Sequence, residues 1–343
     1  MKNIENLIRP NIKALKPYSS ARDEYSGNAS IYLDANENPY NAPFNRYPDP
    51  LQQELKAVVS EIKEVDAKHI FLGNGSDEAI DLLFRAFCEP QQDNIVSISP
   101  SYGMYQVCAE INNIPIKKVT LENDFSLNPE KVLAACDEHT KLIFLCSPNN
   151  PSGNLLDSKA IAEILNKFSG IVVIDEAYID FSPIASWLPN LNDYPNLVIL
   201  QTFSKAWGMA GIRLGMAFAS EEIIEVLNKI KYPYNLNILT QQIALELLAD
   251  TENMKGWVDI LLSERLTMEA ALKTIKGVQH IYPSDANFLL VKINNAKNIY
   301  NSLVEKGTIV RDRSKVELCS DCLRITIGTP EENAALIEQL KAL

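Results

Sequence analysis

The chain has 343 residues, of which 46% are hydrophobic and 22% charged, the composition of a globular protein large enough for two lobes. Its formal net charge of -12 disfavours nucleic acid and anionic membranes as partners, because like charges repel. The first residues, Met1 to Pro17, lack the apolar core of a signal peptide, and no apolar run is long enough to span a bilayer, so we expect a cytoplasmic protein.

Four short apolar runs in the middle of the chain predict buried β-strands. Each run is followed by a loop rich in Gly, Pro, Ser or Asn and then by an amphipathic helix. The runs are Ile95–Ile98, Leu142–Cys146, Ile171–Ile174 and Leu197–Leu200. Strands that alternate with helices in this way predict an α/β protein with a mostly parallel sheet.

The pattern changes after about Pro233. The sequence predicts one long helical stretch from Leu239 to Lys276, followed by shorter strands and helices. Strands are expected at Asn287–Lys292, Thr308–Arg311 and Leu323–Ile327, and helices at Lys297–Lys306 and from Pro330 onward. We therefore predict an N-terminal arm over residues 1–29, a large cofactor-binding domain over 30–235, and an interdomain helix with a small α+β domain over 236–343.

Six cysteines in a chain of this length do not indicate a disulfide scaffold. Cys319 and Cys322 form a Cys-x-x-Cys pair, a spacing also found in redox and zinc sites. There is no second pair and no histidine nearby, so we expect ordinary free thiols and no metal ion.

A glycine-containing segment, Gly73-Asn-Gly-Ser-Asp-Glu78, precedes an amphipathic helix at Ala79–Phe87. The segment suits a phosphate, because glycines admit a close approach and the first amides of a helix point the same way. Taken alone, the segment is better interpreted as a simple capped helix start. Glu78 stands where the dinucleotide fingerprint requires glycine, and no Gly-Lys-Ser/Thr of a P-loop follows.

Polar residues directly after the predicted strands mark the ligand-binding edge of a parallel sheet. The run Ile171–Ile174 ends in Asp175, with Tyr178 three residues later. A buried carboxylate requires a partner, which is either a helix start, a metal ion or a cation such as a protonated pyridine nitrogen. Two further loops carry Tyr102, whose ring suits an aromatic cofactor, and Asn150, whose amide suits a ring hydroxyl. As isolated features, both are more often turn or core residues.

The run Leu197–Leu200 leads into Thr202-Phe-Ser-Lys205 and then to Arg213. Small and apolar neighbours predict a desolvated Lys205 with a lowered pKa, which would make its amine a nucleophile. Ser204 and Arg213 provide a hydroxyl and a guanidinium suited to a phosphate. By itself, however, a Ser-Lys pair is a weak signal.

Together, and in this order, these segments resemble the fold-type I pyridoxal-phosphate aminotransferases over nearly the whole chain. The resemblance implies a mostly parallel seven-stranded sheet flanked by helices, with a smaller C-terminal α+β domain. Other stretches are similar to the histidinol-phosphate aminotransferase branch of this family. They are Lys16-Pro-Tyr18, Leu33-Asp-Ala-Asn-Glu-Asn-Pro39, Asn45-Arg-Tyr-Pro-Asp49, Arg311-Asp312 and Leu323-Arg-Ile-Thr-Ile-Gly-Thr329.

The resemblance implies pyridoxal 5'-phosphate as cofactor and assigns its contacts. Lys205 would attach the cofactor covalently, Asp175 would hold the ring nitrogen protonated, and Tyr102 would stack on the ring. The other implied contacts are Asn150 and Tyr178 at the ring hydroxyl, and Gly75, Ser76, Asp77, Ser204 and Arg213 around the phosphate. Thr202 is implied as a further cofactor contact. Tyr47 would reach that phosphate from a partner subunit, which implies a homodimer.

For the substrate, the resemblance implies Tyr18, Asn36, Arg311 and Arg324 as binding residues. It implies transamination between L-histidinol phosphate and 2-oxoglutarate, giving imidazole-acetol phosphate and L-glutamate in L-histidine biosynthesis. The chain departs from the family pattern at Trp207 and at Arg313. The second departure leaves open which arginine of the pair, Arg311 or Arg313, points inward.

Two alternatives of the same fold remain open: an aromatic amino-acid aminotransferase, and a threonine-phosphate decarboxylase that breaks another Cα bond. The cofactor residues do not distinguish them, because all three reactions need the same electron sink. A non-catalytic regulator built on this fold would require a basic DNA-binding extension. The acidic charge and the short N-terminal arm disfavour it, and no nicotinamide fingerprint is present.

Overall fold

A computed structural model describes residues 4–18 and 30–343 of the chain. Its larger sheet has seven strands in the order β1-β7-β6-β5-β4-β2-β3. The strands are β1 (Ile70–Asn74), β2 (Asn94–Ser99), β3 (Ile116–Thr120), β4 (Thr140–Cys146), β5 (Ile171–Asp175), β6 (Leu197–Thr202) and β7 (Leu214–Ala219). Only β7 runs antiparallel to its neighbours, so the prediction of a mostly parallel, seven-stranded sheet is confirmed.

Helices cover both faces of this sheet. They are α1 (Pro10–Ala14), α2 (Gln53–Lys63), α3 (Gly75–Phe87), α4 (Met104–Ile111), α5 (Pro129–Ala135), α6 (Ser158–Lys167) and α7 (Glu221–Ile230). Every residue of β5 is buried. Val172 and Ile174 pack into the core on one face, whereas Ile171 and Val173 pack into the core on the other. This double burial explains why the strands appear in the sequence as continuous apolar runs rather than as alternating patterns.

The C-terminal part contains a second sheet of four antiparallel strands in the order β10-β11-β9-β8. Its elements are α8 (Ile238–Leu248), α9 (Thr251–Leu272), β8 (Val278–Ile281), β9 (Phe288–Ile293), α10 (Ala296–Glu305), β10 (Arg311–Asp312), β11 (Cys322–Thr326) and α11 (Pro330–Lys341). One face of β9 packs with the local helices through Leu289 and Val291. The other face joins the core of the large sheet through Phe288 and Leu290.

Two predictions for this part were wrong in detail. The expected single helix from Leu239 to Lys276 is two helices, because Asp250 begins a new one by accepting a hydrogen bond from the Asn253 amide at 3.1 Å. The expected strand at Thr308–Arg311 is reduced to β10. Thr308 is still tied to the end of α10, since its amide donates to the Leu303 carbonyl at 2.8 Å.

Candidate active site

A cavity that is open to solvent lies at the carboxyl ends of the parallel strands. Its walls come from the loops after β1, β2, β4, β5 and β6. The structure gathers in these walls all the cofactor residues predicted within one chain: Gly75, Ser76, Asp77, Tyr102, Asn150, Asp175, Tyr178, Thr202, Ser204, Lys205 and Arg213. Residues spread over more than a third of the sequence therefore meet in one place.

The N-terminus of α3 and the start of β7 are in very close contact. Gly75 has φ +69°, a left-handed conformation that favours glycine, and its amide donates to the Arg213 carbonyl at 2.8 Å. Gly215 is packed so tightly that a Cβ added there would lie 2.1 Å from the Ser76 amide nitrogen. Backbone packing thus fixes the position of the first helical amides, which are the groups that bind a phosphate.

Asp77 links the two side chains that border this helix start. Its carboxylate accepts a hydrogen bond from the Tyr102 hydroxyl at 3.1 Å and lies 3.7 Å from an Nη atom of Arg213. The Tyr102 ring stands edge-on to the Tyr105 ring, with the centroids 5.6 Å apart. Tyr102 is therefore held from two sides in the wall of the cavity.

Asp175 lies at the inner end of the cavity and is only 2% exposed. The Tyr105 hydroxyl donates to its Oδ2 at 2.6 Å, and the Ala177 amide donates to its Oδ1 at 3.1 Å. Burial raises the pKa of the Asp175 carboxyl, while the Tyr105 hydrogen bond opposes this rise. A buried carboxylate of this kind gains stability from a cation placed next to it.

Lys205 projects into the cavity, with its Nζ 5.6 Å from the centroid of the Tyr178 ring. Desolvation by the cavity walls lowers the pKa of the Lys205 amine, and the positive charge of Arg324 lowers it further. Asp175 acts in the opposite direction but does not cancel these effects. The amine is therefore deprotonated at a lower pH than a free lysine, which increases its nucleophilicity.

Asn150 connects the two sheets at the cavity edge. Its amide nitrogen lies 3.4 Å from the Tyr178 hydroxyl, and its Oδ1 accepts a hydrogen bond from Arg324 Nη1 at 2.5 Å. The Arg324 guanidinium also lies over the Phe288 ring, 5.3 Å from its centroid. Burial raises the pKa of the Tyr178 hydroxyl, so the group is neutral when it accepts the hydrogen bond from the Asn150 amide.

The sequence model of the family described as "Aminotransferase class I and II" matches residues 31–340. The chain belongs to this aminotransferase family. A histidinol-phosphate aminotransferase of Parabacteroides distasonis is 61% identical over 341 residues, covering 99% of both chains. A histidinol-phosphate aminotransferase of Flavobacterium johnsoniae is 52% identical over 344 residues, again covering 99% of both chains.

Solved structures of other members share the fold. The histidinol-phosphate aminotransferase of Clostridium acetobutylicum superposes with a TM-score of 0.80 at 24% identity, covering 87% of this chain and 90% of that one. The Sinorhizobium meliloti enzyme, solved in complex with pyridoxal 5'-phosphate, gives a TM-score of 0.79 at 23% identity, covering 87% and 82%. The large and small sheets are thus those of the aminotransferase fold.

The cofactor of this aminotransferase family is pyridoxal 5'-phosphate, and the cavity is chemically suited to it. A phosphorylated pyridine ring needs a phosphate site, a partner for the ring nitrogen and an amine for its aldehyde. The residues at the start of α3, the buried Asp175 carboxylate and Lys205 all line the cavity and provide these three groups.

Five further predicted residues do not line the cavity of the single chain. One of them, Arg324, lies at the cavity edge through its hydrogen bond to Asn150. Tyr18 is 70% exposed, and Asn36 is exposed with φ 53°. Tyr47 is 50% exposed and stacks on Tyr234, with the ring centroids 4.4 Å apart. Arg311 lies on β10 directly opposite Arg324, so it borders the cavity edge without lining it.

Sequence reasoning missed two residues that organise the site. Tyr105 lies three residues after Tyr102, and its hydroxyl donates to Asp175. Asn149 directly precedes Asn150 in the sequence. It is fully buried, donates to the Pro100 carbonyl at 3.0 Å and accepts from the Ser101 hydroxyl at 3.2 Å. Asn149 therefore joins the two loops that carry Tyr102 and Asn150.

The remaining motif, Cys319 and Cys322, is buried in the core between the two sheets as free thiols. Burial raises the pKa of Cys319 to about 12 and that of Cys322 to about 11, which keeps both thiols protonated and unreactive. Within residues 4–18 and 30–343, no cluster of potential ligands is suited to a metal ion. The same residues contain no helix long and apolar enough to span a bilayer.

Proposed function

We propose that this chain transfers the amino group of L-histidinol phosphate to 2-oxoglutarate, giving imidazole-acetol phosphate and L-glutamate in L-histidine biosynthesis. The observation that carries the proposal is the 61% identity over 99% of the chain to a relative with that activity in its name. The cavity supports it independently, because it combines a nucleophilic lysine, a buried carboxylate and an anion site.

When bound, the cofactor supplies an electron sink for the electrons left at the substrate Cα. In our proposal, Asp175 sustains that sink by holding a proton on the ring nitrogen. Lys205 takes the Cα proton as general base and later returns a proton as general acid. Its lowered pKa suits both tasks, because the free amine is present at a pH closer to neutrality.

The remaining cavity residues fix the position of the ring in this proposal. Asn150 and Tyr178 hold the ring hydroxyl, and Tyr102 covers one ring face. The phosphate is held by the amides at the α3 start, with the hydroxyls and the guanidinium around them: Gly75, Ser76, Asp77, Thr202, Ser204 and Arg213. Rigid attachment of both ends orients the bond to be broken, which is a large part of the rate enhancement.

Substrate recognition is assigned to Arg311 and Arg324 at the cavity edge, together with Tyr18 and Asn36. Arg324 is held in place by Asn150 and by the Phe288 ring. Guanidinium groups suit the substrate because they bind phosphate and carboxylate oxygens in pairs. The same arginines would then serve the phosphorylated amine and the 2-oxo acid in turn.

We also propose that the active unit is a homodimer, in which Tyr47 reaches the cofactor phosphate of the partner subunit. Tyr47 lies on a segment with several exposed apolar side chains, including Ile31, Leu33 and Phe44. Mixing subunits tests this. A Lys205→Ala subunit paired with a Tyr47→Ala subunit should regain activity, because one site then has both residues. No recovery would argue against a shared site.

A paired substrate assay tests the proposed reaction. Purified protein with bound cofactor should form glutamate from histidinol phosphate and 2-oxoglutarate. The kinetics should be ping-pong, because the enzyme retains the amino group after the first product leaves and before the second substrate binds. Carbon dioxide release from threonine phosphate would favour the decarboxylase alternative. A preference for aromatic amino acids would favour the aromatic amino-acid aminotransferase.

We also propose that the protein is cytoplasmic and that its domains meet near residues 30 and 236.

A further inference from the structure

A third arginine lies on the same face of the small sheet as Arg311 and Arg324. Arg311 is directly opposite Arg324 in the β10–β11 pair. The Arg313 amide continues this pairing by donating to the Cys322 carbonyl at 2.9 Å. Because side chains alternate between the faces of a strand, Arg311 and Arg313 lie on one face and Asp312 on the other. Arg313 thus shares the face that carries Arg324.

This face borders the cavity. Arg324 reaches Asn150 on the far side of the cavity edge. Burial lowers the pKa of the Arg313 guanidinium, and the charges of Arg324 and Arg311 lower it further. In turn, the positive charge of Arg313 acts on the Tyr178 hydroxyl in the cavity wall. Arg313 is therefore close enough to both the other arginines and the cavity to act with them electrostatically.

Within the described residues, none of the three arginines forms an ion pair with an acid. The nearby acids are engaged elsewhere: Asp312 lies 3.6 Å from Lys297 Nζ, and Glu317 accepts from the Thr120 hydroxyl at 2.7 Å. The Nε atoms of Arg313 and Arg324 are buried and lack a hydrogen-bond partner among those residues. Three clustered cations repel one another, and a multiply charged anion would relieve that repulsion.

We propose that Arg313 is a third substrate-anion residue and that the cluster of Arg311, Arg313 and Arg324 binds a phosphate monoester dianion more strongly than a carboxylate. This inference rests on the proposed function and extends it. A phosphate monoester carries nearly two negative charges at neutral pH and three acceptor oxygens, enough for several guanidinium groups. A single carboxylate has one charge and two oxygens, and one guanidinium already satisfies it.

Binding of inorganic phosphate to the holoenzyme, measured by isothermal titration calorimetry, tests this assignment. The bound cofactor occupies its own phosphate site, so added phosphate reports on the arginine cluster. Arg313→Gln should raise the dissociation constant about tenfold, since it removes a charged hydrogen-bond donor. The matched control is Lys315→Gln, which removes the same charge from an exposed side chain two residues away and should leave the constant within about twofold.

Steady-state kinetics add a second readout. Arg313→Gln should raise the KM for histidinol phosphate with little change in kcat, because binding is lost equally in the ground and transition states. If Arg313→Gln does not fold, Arg313→Lys replaces it. That variant keeps the charge without the planar guanidinium and should bind phosphate with an intermediate affinity.

The inference would be overturned if Arg313→Gln bound phosphate with wild-type affinity. If that variant does not fold, the same result in Arg313→Lys would overturn it. Absence of phosphate binding to the wild-type holoenzyme would overturn it as well. The proposed function fails in a different way. If wild-type enzyme does not convert histidinol phosphate but Arg313→Gln still loses phosphate affinity, then the amine substrate is a different phosphate monoester and the role of Arg313 stands.

Discussion

The hydrogen bond from Tyr105 to Asp175 should control how strongly the protein holds its cofactor. Both side chains are buried, and the hydroxyl donates to the carboxylate at 2.6 Å. Tyr105→Phe removes the donor without changing the packing of the ring. Because the hydroxyl stabilises the charged form of Asp175, its loss should raise the pKa of that carboxyl further above its usual range.

The expected loss of cofactor affinity follows from how much the strength of this hydrogen bond differs between the empty site and the site with bound cofactor. Burial already favours neutral Asp175 in the empty cavity, whereas a protonated ring nitrogen favours the carboxylate. A hydrogen bond contributes about 0.5–1.5 kcal/mol between neutral groups and about 1.5–3 kcal/mol to a charged group. The difference of about 1–1.5 kcal/mol predicts a rise of roughly tenfold in the dissociation constant of the cofactor.

The assay is a titration of the apoprotein with pyridoxal 5'-phosphate, followed by the absorbance of the bound cofactor. Tyr282→Phe is the control, because it removes the hydroxyl of a partly buried tyrosine that lies outside the cavity walls. In Tyr105→Phe, affinity should also begin to fall at a higher pH as the solution is acidified, since Asp175 takes up its proton earlier. Unchanged affinity and an unchanged pH profile in a folded variant would refute the reasoning.

Three other changes test separate parts of the structure. Arg324→Gln should raise the pKa of the Lys205 amine and move the pH dependence of cofactor attachment to the apoprotein upward, because a neighbouring positive charge is lost. Gly215→Ala should weaken cofactor binding, since its Cβ would overlap the α3 backbone. Lys231→Met should lower the free energy of unfolding by about 1–3 kcal/mol, because the buried ammonium donates to several carbonyl oxygens.

Each of these variants has a control or a contradicting outcome. An unshifted pH profile in Arg324→Gln would show that its charge does not reach Lys205. Gly211→Ala places a Cβ in open space and should leave cofactor affinity unchanged. Lys56→Met removes another buried lysine, but desolvation lowers the pKa of that lysine to about 8. Burial makes the charged form of Lys56 less favourable than that of a free lysine, so its loss should cost less stability than the loss of Lys231.

The sequence predicted those site residues that lie directly after a recognisable strand. Asp175 follows directly after a buried strand, and Lys205 lies in the turn after the next one, so both positions could be read from the order of apolar runs. The rule that ligands bind at the carboxyl ends of parallel strands then placed them together. For the same reason the strand-end loops with Tyr102 and Asn150 were recognised before any contact was known.

Contacts between distant segments were not predictable in this way. The Tyr105–Asp175 hydrogen bond joins residues 70 positions apart, and the Arg324–Asn150 bond joins residues 174 positions apart. Both depend on how a helix and a second sheet pack onto the first sheet. The edge strands β1 and β3 and the antiparallel β7 also escaped prediction. β1 pairs with β7, which lies far away in the sequence, and β3 is only partly buried, so it forms no continuous apolar run.

The small domain shows the limit most clearly. Periodicity favoured one helix from Leu239 to Lys276, although Asp250 caps a second helix within that stretch. The pairing of β10 with β11 decides which arginines share a face, and a two-residue strand such as β10 leaves almost no signal in the sequence. Which of Arg311 and Arg313 faces the cavity could therefore be judged only from the register of the sheet.

The central claim is that Lys205 carries the cofactor for amino transfer. Borohydride reduction of the holoenzyme, followed by peptide mass spectrometry, tests it most directly, because reduction makes the bond between lysine and cofactor permanent. We predict that the cofactor mass is found on the peptide containing Lys205. Lys205→Ala should lose both this adduct and turnover of histidinol phosphate by orders of magnitude. An adduct on another lysine, or full activity of Lys205→Ala, would contradict the account.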